Sequence, residues 1–519
     1  MLREVKYHCE LENNDFKQTG GLRVGKRVEF KTSNEKLLML YERSEEALKN
    51  NIKYFGDKKV LIEGGGYFNV WMETQPMGGE MYWKRDPEIA LNNQLIFLEN
   101  QREDGRLPGM ISYQNGNIIP CFTHLQGFCF PYHAVNIYYL NKLKKDYLEY
   151  LYECFERFDK YLWNERDPNG DGCLETWCEW DTGEDNFKLL EGAPHGWSNN
   201  YPPENAGNMP LKSISCMGYS RDGRATLAEI SEILQNGKTK YWKEKTKQVD
   251  DKMRSYLWRE DKGAFYDRDK NGNFLDCLYQ GNMKAMYFGC FSNDMAERFI
   301  NEHLHNKEEF DTPMPLPAVA INDKYYYNDP INCWSGQCQS LNFQRSIRAF
   351  ENYNKFSEIT VVAEKFLKNM YNQKFFPQQF DPFTGEAQIG FNDGYYGPCM
   401  LTVLEYVSRL YGIHINRKEI YFGCISDRGE SEYSQIFADR KYELKNDGER
   451  ATAYIDGKKV FDTDSGVRVI TDYDGNIKRV INIKEHSDVF TVCGKRIFLQ
   501  SDESIETSAL DKFYIRGNR

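Results

Sequence analysis

The chain has 519 residues with 78 acidic against 67 basic side chains, a net charge of -11. That balance, without any block of Lys and Arg, excludes nucleic-acid binding, which needs concentrated cations against phosphate. Residues 1 to 6 lack the apolar run of a signal, and nowhere do eighteen apolar residues follow one another, so neither secretion nor a membrane span is expected.

Taken in order, residues 1–33 contain alternating runs at 5–10 and 22–30 around Gly20-Gly21, which predict two or three strands. From Asn34 the period becomes helical, with Leu37, Leu38, Leu40, Tyr41, Ala47 and Leu48 three to four residues apart. A loop rich in glycine and aromatics is expected over 63–82, including Gly64-Gly65-Gly66, Trp71, Glu73 and Gly78-Gly79. Further helices are predicted near 86–101, 131–143, 146–162, 215–235, 239–258, 278–289, 292–305, 336–351, 356–372 and 398–412. That makes about eleven, with room for a twelfth at the boundaries. Helical hairpins in a ring, with the loops 63–82, 164–214, 310–335 and 375–397 gathered at one end, fit this alternation. After Arg417 the period is two, with turns at Asp456-Gly457 and Asp474-Gly475. Residues 34–415 are therefore read as a helical domain and 416–519 as a small antiparallel β domain that the strands of 1–33 are free to join.

Aromatic residues make up 15% of the chain. They concentrate in the long loops, and rings suit the C–H faces of pyranoses, although an AT-rich coding sequence accounts for part of the excess. The 14 cysteines stand singly, without a Cys-x-x-Cys pair. Reduced thiols in a cytoplasm fit this pattern better than disulfides or zinc.

Two adjoining stretches carry the most chemistry. Asp167-Pro168-Asn169-Gly170-Asp171-Gly172 is dense turn sequence, and Trp180-Asp181-Thr182-Gly183-Glu184-Asp185-Asn186 is an acidic loop beside an indole. A carboxyl near an apolar ring can stay protonated at neutral pH, as acid catalysis on an uncharged substrate requires. Asp167, Asn169, Asp171 and Glu175 also match positions 1, 3, 5 and 9 of a calcium loop, but Cys178 stands where the closing Glu is needed. A structural calcium ion and a metal-free turn are both open readings. Gly64-Gly65-Gly66 lacks the Lys of a phosphate loop. His195, beside Trp197, reads as a surface histidine that could reach a substrate.

Four patches resemble the inverting glycoside hydrolases of the trehalase and family 63 group: 95–111 (LIFLENQREDGRLPGMI), 167–186 (DPNGDGCLETWCEWDTGEDN), Trp334-Ser335-Gly336, and 376–386 (FPQQFDPFTGE). The resemblance implies a mainly α fold, an (α/α)6 toroid of helical hairpins, and an acid/base hydrolysis of an α-glycosidic bond that requires no cofactor. It implies Asp185 as the general acid, flanked by Trp180 and Asn186, with Trp334 lining the sugar subsite. Trp71 and Glu73 match a looser family signature in which Tyr67 replaces an Arg. The family's general base falls on Gln378, whose amide cannot accept a proton near neutrality. Either the base position has been neutralised by substitution, or another acid such as Glu386 serves, or the protein uses another acceptor or only binds sugar. The preferred reading is a cytoplasmic, α-glucosidase-like hydrolase of a small oligosaccharide or glycoside. The alternative is a carbohydrate-binding pseudoenzyme or a phosphorolytic relative.

Overall fold

The computed structural model describes residues 26–388, 393–426 and 429–506. The strand expected at 5–10 lies outside the described residues. Twelve α-helices occupy the described part of 35–411. They are α1 (Glu35–Leu48), α2 (Gln75–Tyr82), α3 (Pro87–Leu98), α4 (Pro131–Leu140), α5 (Lys145–Glu165), α6 (Ile214–Leu234), α7 (Thr239–Lys252), α8 (Gly281–Tyr287), α9 (Asn293–Phe299), α10 (Ser340–Glu351), α11 (Phe356–Met370) and α12 (Gly397–Tyr411).

Composition decides which helices lie inside. Every residue of α2, α8 and α12 is buried, as are all of α10 except Arg348 and Glu351. A helix buried on all sides belongs in an interior. In α5, by contrast, the buried residues Leu148, Leu151, Phe155, Phe158 and Leu162 form one stripe, and the other face is polar. The even-numbered helices touch in a closed circuit, α2 to α4, α6, α8, α10, α12 and back to α2. Helices α1, α3, α5, α7 and α11 each pack against members of that circuit.

Helix α2 falls within the stretch expected to be a loop. Its Gly78 and Gly79 suggest a turn, but their role is close packing. A Cβ on Gly79 would meet Asn93 of α3 at 2.6 Å, and one on Gly78 would meet Leu401 of α12 at 3.0 Å. Small residues let these helices approach, and that approach outweighs the low helix propensity of glycine.

The C-terminal region is two antiparallel sheets. In the seven-stranded sheet, Val28–Thr32 forms one edge against Ser431–Phe437, with Val28 opposite Gln435. Arg440–Asn446, Arg450–Ile455, Lys458–Asp464, Asp488–Val492 and Lys495–Leu499 follow in that order. The five-stranded sheet runs Ile413–Asn416, Glu419–Cys424, Val467–Thr471, Ile477–Asn482, Ser504–Glu506. Its first strand starts at Ile413, three residues before the expected boundary at 416.

Helix α12 spans the distance between sheet and site, since Tyr396 precedes it at the cavity described below and Ile413 follows it into the sheet. At the sheet end, buried charges join the layers. Lys84 Nζ lies 2.5 Å from Glu405 Oε1, and the other Glu405 oxygen accepts from Arg409. Arg409 Nε and Arg468 Nη1 both reach Glu351 Oε1, at 2.9 and 3.1 Å. Removing one partner of such a buried set strands the others without compensation, at about 3–5 kcal/mol. Glu405→Ala is therefore expected to lower stability by about that amount, read as a fall in the urea midpoint, whereas Glu432→Ala on the exposed sheet surface should leave it unchanged.

Candidate active site

A cavity of about 270 Å³ is lined by Glu63, Tyr67, Trp71, Glu73, Gln126, Glu179, Trp180, Gly183, Asp185, Asn186, His195, Asn332, Trp334, Gln378 and Tyr396. All four expected loops contribute. Asp185, Gln378, Trp71, Glu73, Trp180, Asn186 and Trp334 thus share one wall system.

The acid loop is held by Asp181. The Asp181 carboxylate is fully buried, 2.5 Å from Arg166 Nη1, and accepts from the backbone N–H groups of Leu125 (2.8 Å) and Trp177 (2.9 Å). Arg166 in turn lies over the Trp177 ring at 4.3 Å. Gly183 has φ +75°, and a Cβ there would meet the Glu73 carboxylate at 2.3 Å, so only glycine admits Glu73 beneath the loop. Glu73 accepts from Arg345 at 2.7 Å and Gln126 at 2.9 Å.

The loop 329–335 is stapled to the acid loop. Trp334 N–H donates to the Asp185 carbonyl at 3.1 Å, and Asn186 Nδ2 donates to the Asn332 carbonyl at 2.9 Å. Asn332, at φ +25°, sits in sparsely populated backbone space that only its surroundings can enforce. Its side chain bridges the two expected catalytic positions. Nδ2 donates to Asp185 Oδ2 at 2.8 Å, and Oδ1 accepts from Gln378 Nε2 at 2.8 Å. Gln378 Oε1 accepts from the Tyr67 hydroxyl at 2.9 Å.

Burial pushes the Asp185 carboxyl up to about 7, the charges of Glu73 and Glu179 add to the push, and the Asn332 hydrogen bond and His195 hold it back. Trp180 instead stacks on His195, with ring centroids 5.3 Å apart. His195 Nδ1 meets Glu179 Oε2 at 2.5 Å, and the other Glu179 oxygen accepts from Asn186 N–H. The indole nitrogens of Trp71 and Trp334 and the Gln126 amide oxygen are buried without a hydrogen-bond partner among the described residues.

Two expectations are corrected. Glu386 sits on an exposed turn, its carbonyl accepting from Asp381 N–H, and does not line the cavity. The calcium-like loop closes on an ammonium instead. Lys212 Nζ lies 2.8 Å from Asp171, 3.0 Å from Glu175 and 2.9 Å from Asn169 Oδ1, while Asp167 accepts from Gly172 N–H. Among the described residues no cluster of three or more His, Cys, Asp or Glu side chains could hold a metal ion. The sequence reading missed Glu63, Gln126, Glu179, Asn332 and Tyr396. Glu63 and Asn332 stand in runs of turn residues that mask them.

A family model described as the mannosylglycerate hydrolase MGH1-like glycoside hydrolase domain matches residues 79–397. No curated protein is significantly similar to the chain. Among solved structures, the chain is similar to a family 63 mannosylglycerate hydrolase from Thermus thermophilus in complex with glucose. The two share 16% identity with a TM-score of 0.58, over 71% of this chain and 99% of that one. It is also similar to a neutral trehalase from Saccharomyces cerevisiae (13%, TM-score 0.52, 70% and 80%). An α-L-rhamnosidase from Dictyoglumus thermophilum matches at 13% and a TM-score of 0.53, over 83% of this chain and 44% of its own. At such identities the likeness is one of fold.

The Asn332 hydrogen bond favours the ionised form of Asp185, so its loss must raise the acid's midpoint. Asn332→Ala is expected to move the titration of Asp185 from about 7 to higher pH, followed by carboxyl carbon NMR with Asp185→Asn to assign the signal. A midpoint that falls would contradict the geometry.

Proposed function

The chain belongs to the mannosylglycerate hydrolase MGH1-like glycoside hydrolases, within the family 63 and trehalase group, and from that premise we propose that it cleaves an α-glycosidic bond in a small oligosaccharide or glycoside with inversion. The observation that carries the reading is Asp185. It is a half-buried carboxyl with a midpoint near 7, in a cavity walled by indoles and acids, and so can hold a proton at neutral pH and give it up. Asp185 protonates the departing glycosidic oxygen while water attacks the opposite face of the sugar, an arrangement that needs its proton acceptor about 6.5 to 9.5 Å away. Trp71, Trp180 and Trp334 supply apolar faces, and Glu73, Gln126 and Asn186 supply hydrogen-bond partners for hydroxyls.

The closed circuit of even-numbered helices supports an (α/α)6 toroid. Among the described residues no helix is long and apolar enough to cross a membrane, and every described cysteine is a free thiol, which is compatible with the cytoplasmic site we propose. A binding-only reading draws support from Gln378, whose amide cannot accept a proton. A phosphorolytic one is disfavoured, since among the described residues no Lys or Arg lines the cavity to receive a phosphate against its four carboxyls.

A screen of α-linked disaccharides, with α-glucosides first, tests the reading, and proton NMR of the first-formed anomer tests inversion. Asp185→Asn is expected to lose roughly 10²–10⁴-fold in kcat/KM on glycosides with poor leaving groups and far less on activated aryl glycosides. An equal loss on both would remove Asp185 from the role of acid.

A further inference from the structure

We infer that Glu63 is the proton acceptor for the attacking water in this cavity. The inference rests on the hydrolytic reading and concerns which group completes it. Inverting hydrolysis needs a second carboxylate besides the acid, and among the described residues four carboxyls line the cavity, those of Glu63, Glu73, Glu179 and Asp185.

Hydrogen bonding sorts them. Asp185 is the acid. Both oxygens of Glu73 are engaged, by Arg345 at 2.7 Å and Gln126 at 2.9 Å. Both oxygens of Glu179 are engaged as well, by the backbone of Asn186 and by His195. Glu63 accepts a single hydrogen bond among the described residues, from the Tyr396 hydroxyl to Oε1 at 2.9 Å. Its second oxygen is left to receive a proton.

The position also fits. Glu63 is anchored by its carbonyl, which accepts from Gly397 N–H at 2.8 Å and from Asn51 Nδ2 at 3.3 Å. From there a continuous line of contacts runs through residues of the cavity lining. Tyr396 lies against Tyr67, ring centroids 6.3 Å apart, Tyr67 donates to Gln378, Gln378 to Asn332, and Asn332 to Asp185. Glu63 and Asp185 stand at the two ends of this line, with neutral side chains between them. The groups that face Glu63 are Tyr396, Tyr67, Glu73, Asp185 and Arg345. Burial raises the affinity of Glu63 for a proton well above the ordinary, and the charges of Glu73 and Asp185 add to it, while Tyr396 opposes. The reactive form has the proton on Asp185.

In the step itself, a water proton passes to Glu63 as the water oxygen bonds to the anomeric carbon. The bond from that carbon to the leaving oxygen breaks with its electron pair, and the leaving oxygen takes the proton of Asp185. Glycoside and water become a sugar of inverted configuration and a free alcohol. Glu63 is left protonated and Asp185 ionised, and one proton moving between them through solvent restores the start.

The test uses the full chain with α-D-glucosyl fluoride and α-D-mannosyl fluoride, whose leaving group needs little acid help but whose hydrolysis still needs water activation. Glu63→Gln is expected to lose roughly 10²–10⁴-fold in kcat on the fluoride that the wild type hydrolyses, with glucose or mannose affinity within a few-fold of wild type and an unchanged melting temperature. Asp185→Asn should retain most fluoride hydrolysis. A loss below about tenfold in Glu63→Gln, or an equal loss of sugar affinity, overturns the role. Should that variant fail to fold, Glu63→Ala with added azide decides. Azide needs no deprotonation, so it should restore consumption of the fluoride with formation of a glycosyl azide of inverted configuration, and no rescue in a folded variant overturns the role. A wild type inactive on both fluorides and on α-linked disaccharides would remove the hydrolytic reading itself, whereas an active wild type with an active Glu63→Gln overturns the Glu63 inference alone.

Discussion

The buried pair Arg166 and Asp181 is the constraint on which the site depends. Neither side chain has more than 1% of its surface exposed. An ion pair so far from water is costly to assemble, and it persists because every acceptor site of the carboxylate is engaged. Arg166 closes α5, and Asp181 binds the backbone of both Trp177 and Leu125. The adjoining backbone continues the join, with Gln126 N–H on the Trp180 carbonyl and Gly127 N–H on that of Asp181. One pair thereby fixes the loop that carries Asp185 to the segment that carries Gln126. The Arg166 charge holds Asp181 below the usual carboxylate range despite complete burial. The same chain stretch therefore contains one aspartate fixed as an anion and another, four residues on, pushed up to about 7.

The contrast between these two aspartates explains how a cavity with four carboxyls stays folded. Cations are placed behind its wall rather than on it. Arg345 pairs with Glu73, and Lys284 lies 2.8 Å from Glu184. They offset the negative charge through the protein while leaving the lining, among the described residues, free of Lys and Arg. The acids without such a partner, Asp185 and Glu63, are those whose proton affinity burial raises most visibly. Raised proton affinity in this site goes, among the described residues, with the absence of a paired cation.

Much of this was legible in the sequence, for reasons that differ by element. Helix α5 and the strands Arg450–Ile455 and Lys495–Leu499 have one dry face and one wet face, so their period betrays them. Helix α2 has no wet face, and its glycines serve contact with Asn93 and Leu401, so neither period nor propensity could find it. Asp185, Trp180 and Asn186 were visible because they are adjacent in the chain. Glu63 was not, because its partner Tyr396 is 333 residues away, and a lone acid before three glycines reads as turn sequence. The calcium-like loop misleads for the same reason, since Lys212, which takes the cation's place, lies 41 residues beyond Asp171.

Gln378 is at home in this arrangement. Its amide is polarised in one direction, oxygen toward the Tyr67 hydroxyl and nitrogen toward Asn332 Oδ1, and this orientation leaves Asn332 with its own nitrogen on Asp185. A carboxylate at 378 would face the Asn332 oxygen and force that amide to reverse, turning an acceptor toward Asp185. Such a reversal would favour the protonated acid still further, on top of a burial that already raises it. With glutamine in place, the hydrogen bond from Asn332 opposes burial, and the acid remains able to give up its proton. The neutral amide thus acts on Asp185 through Asn332, by fixing which end of that amide meets the carboxyl.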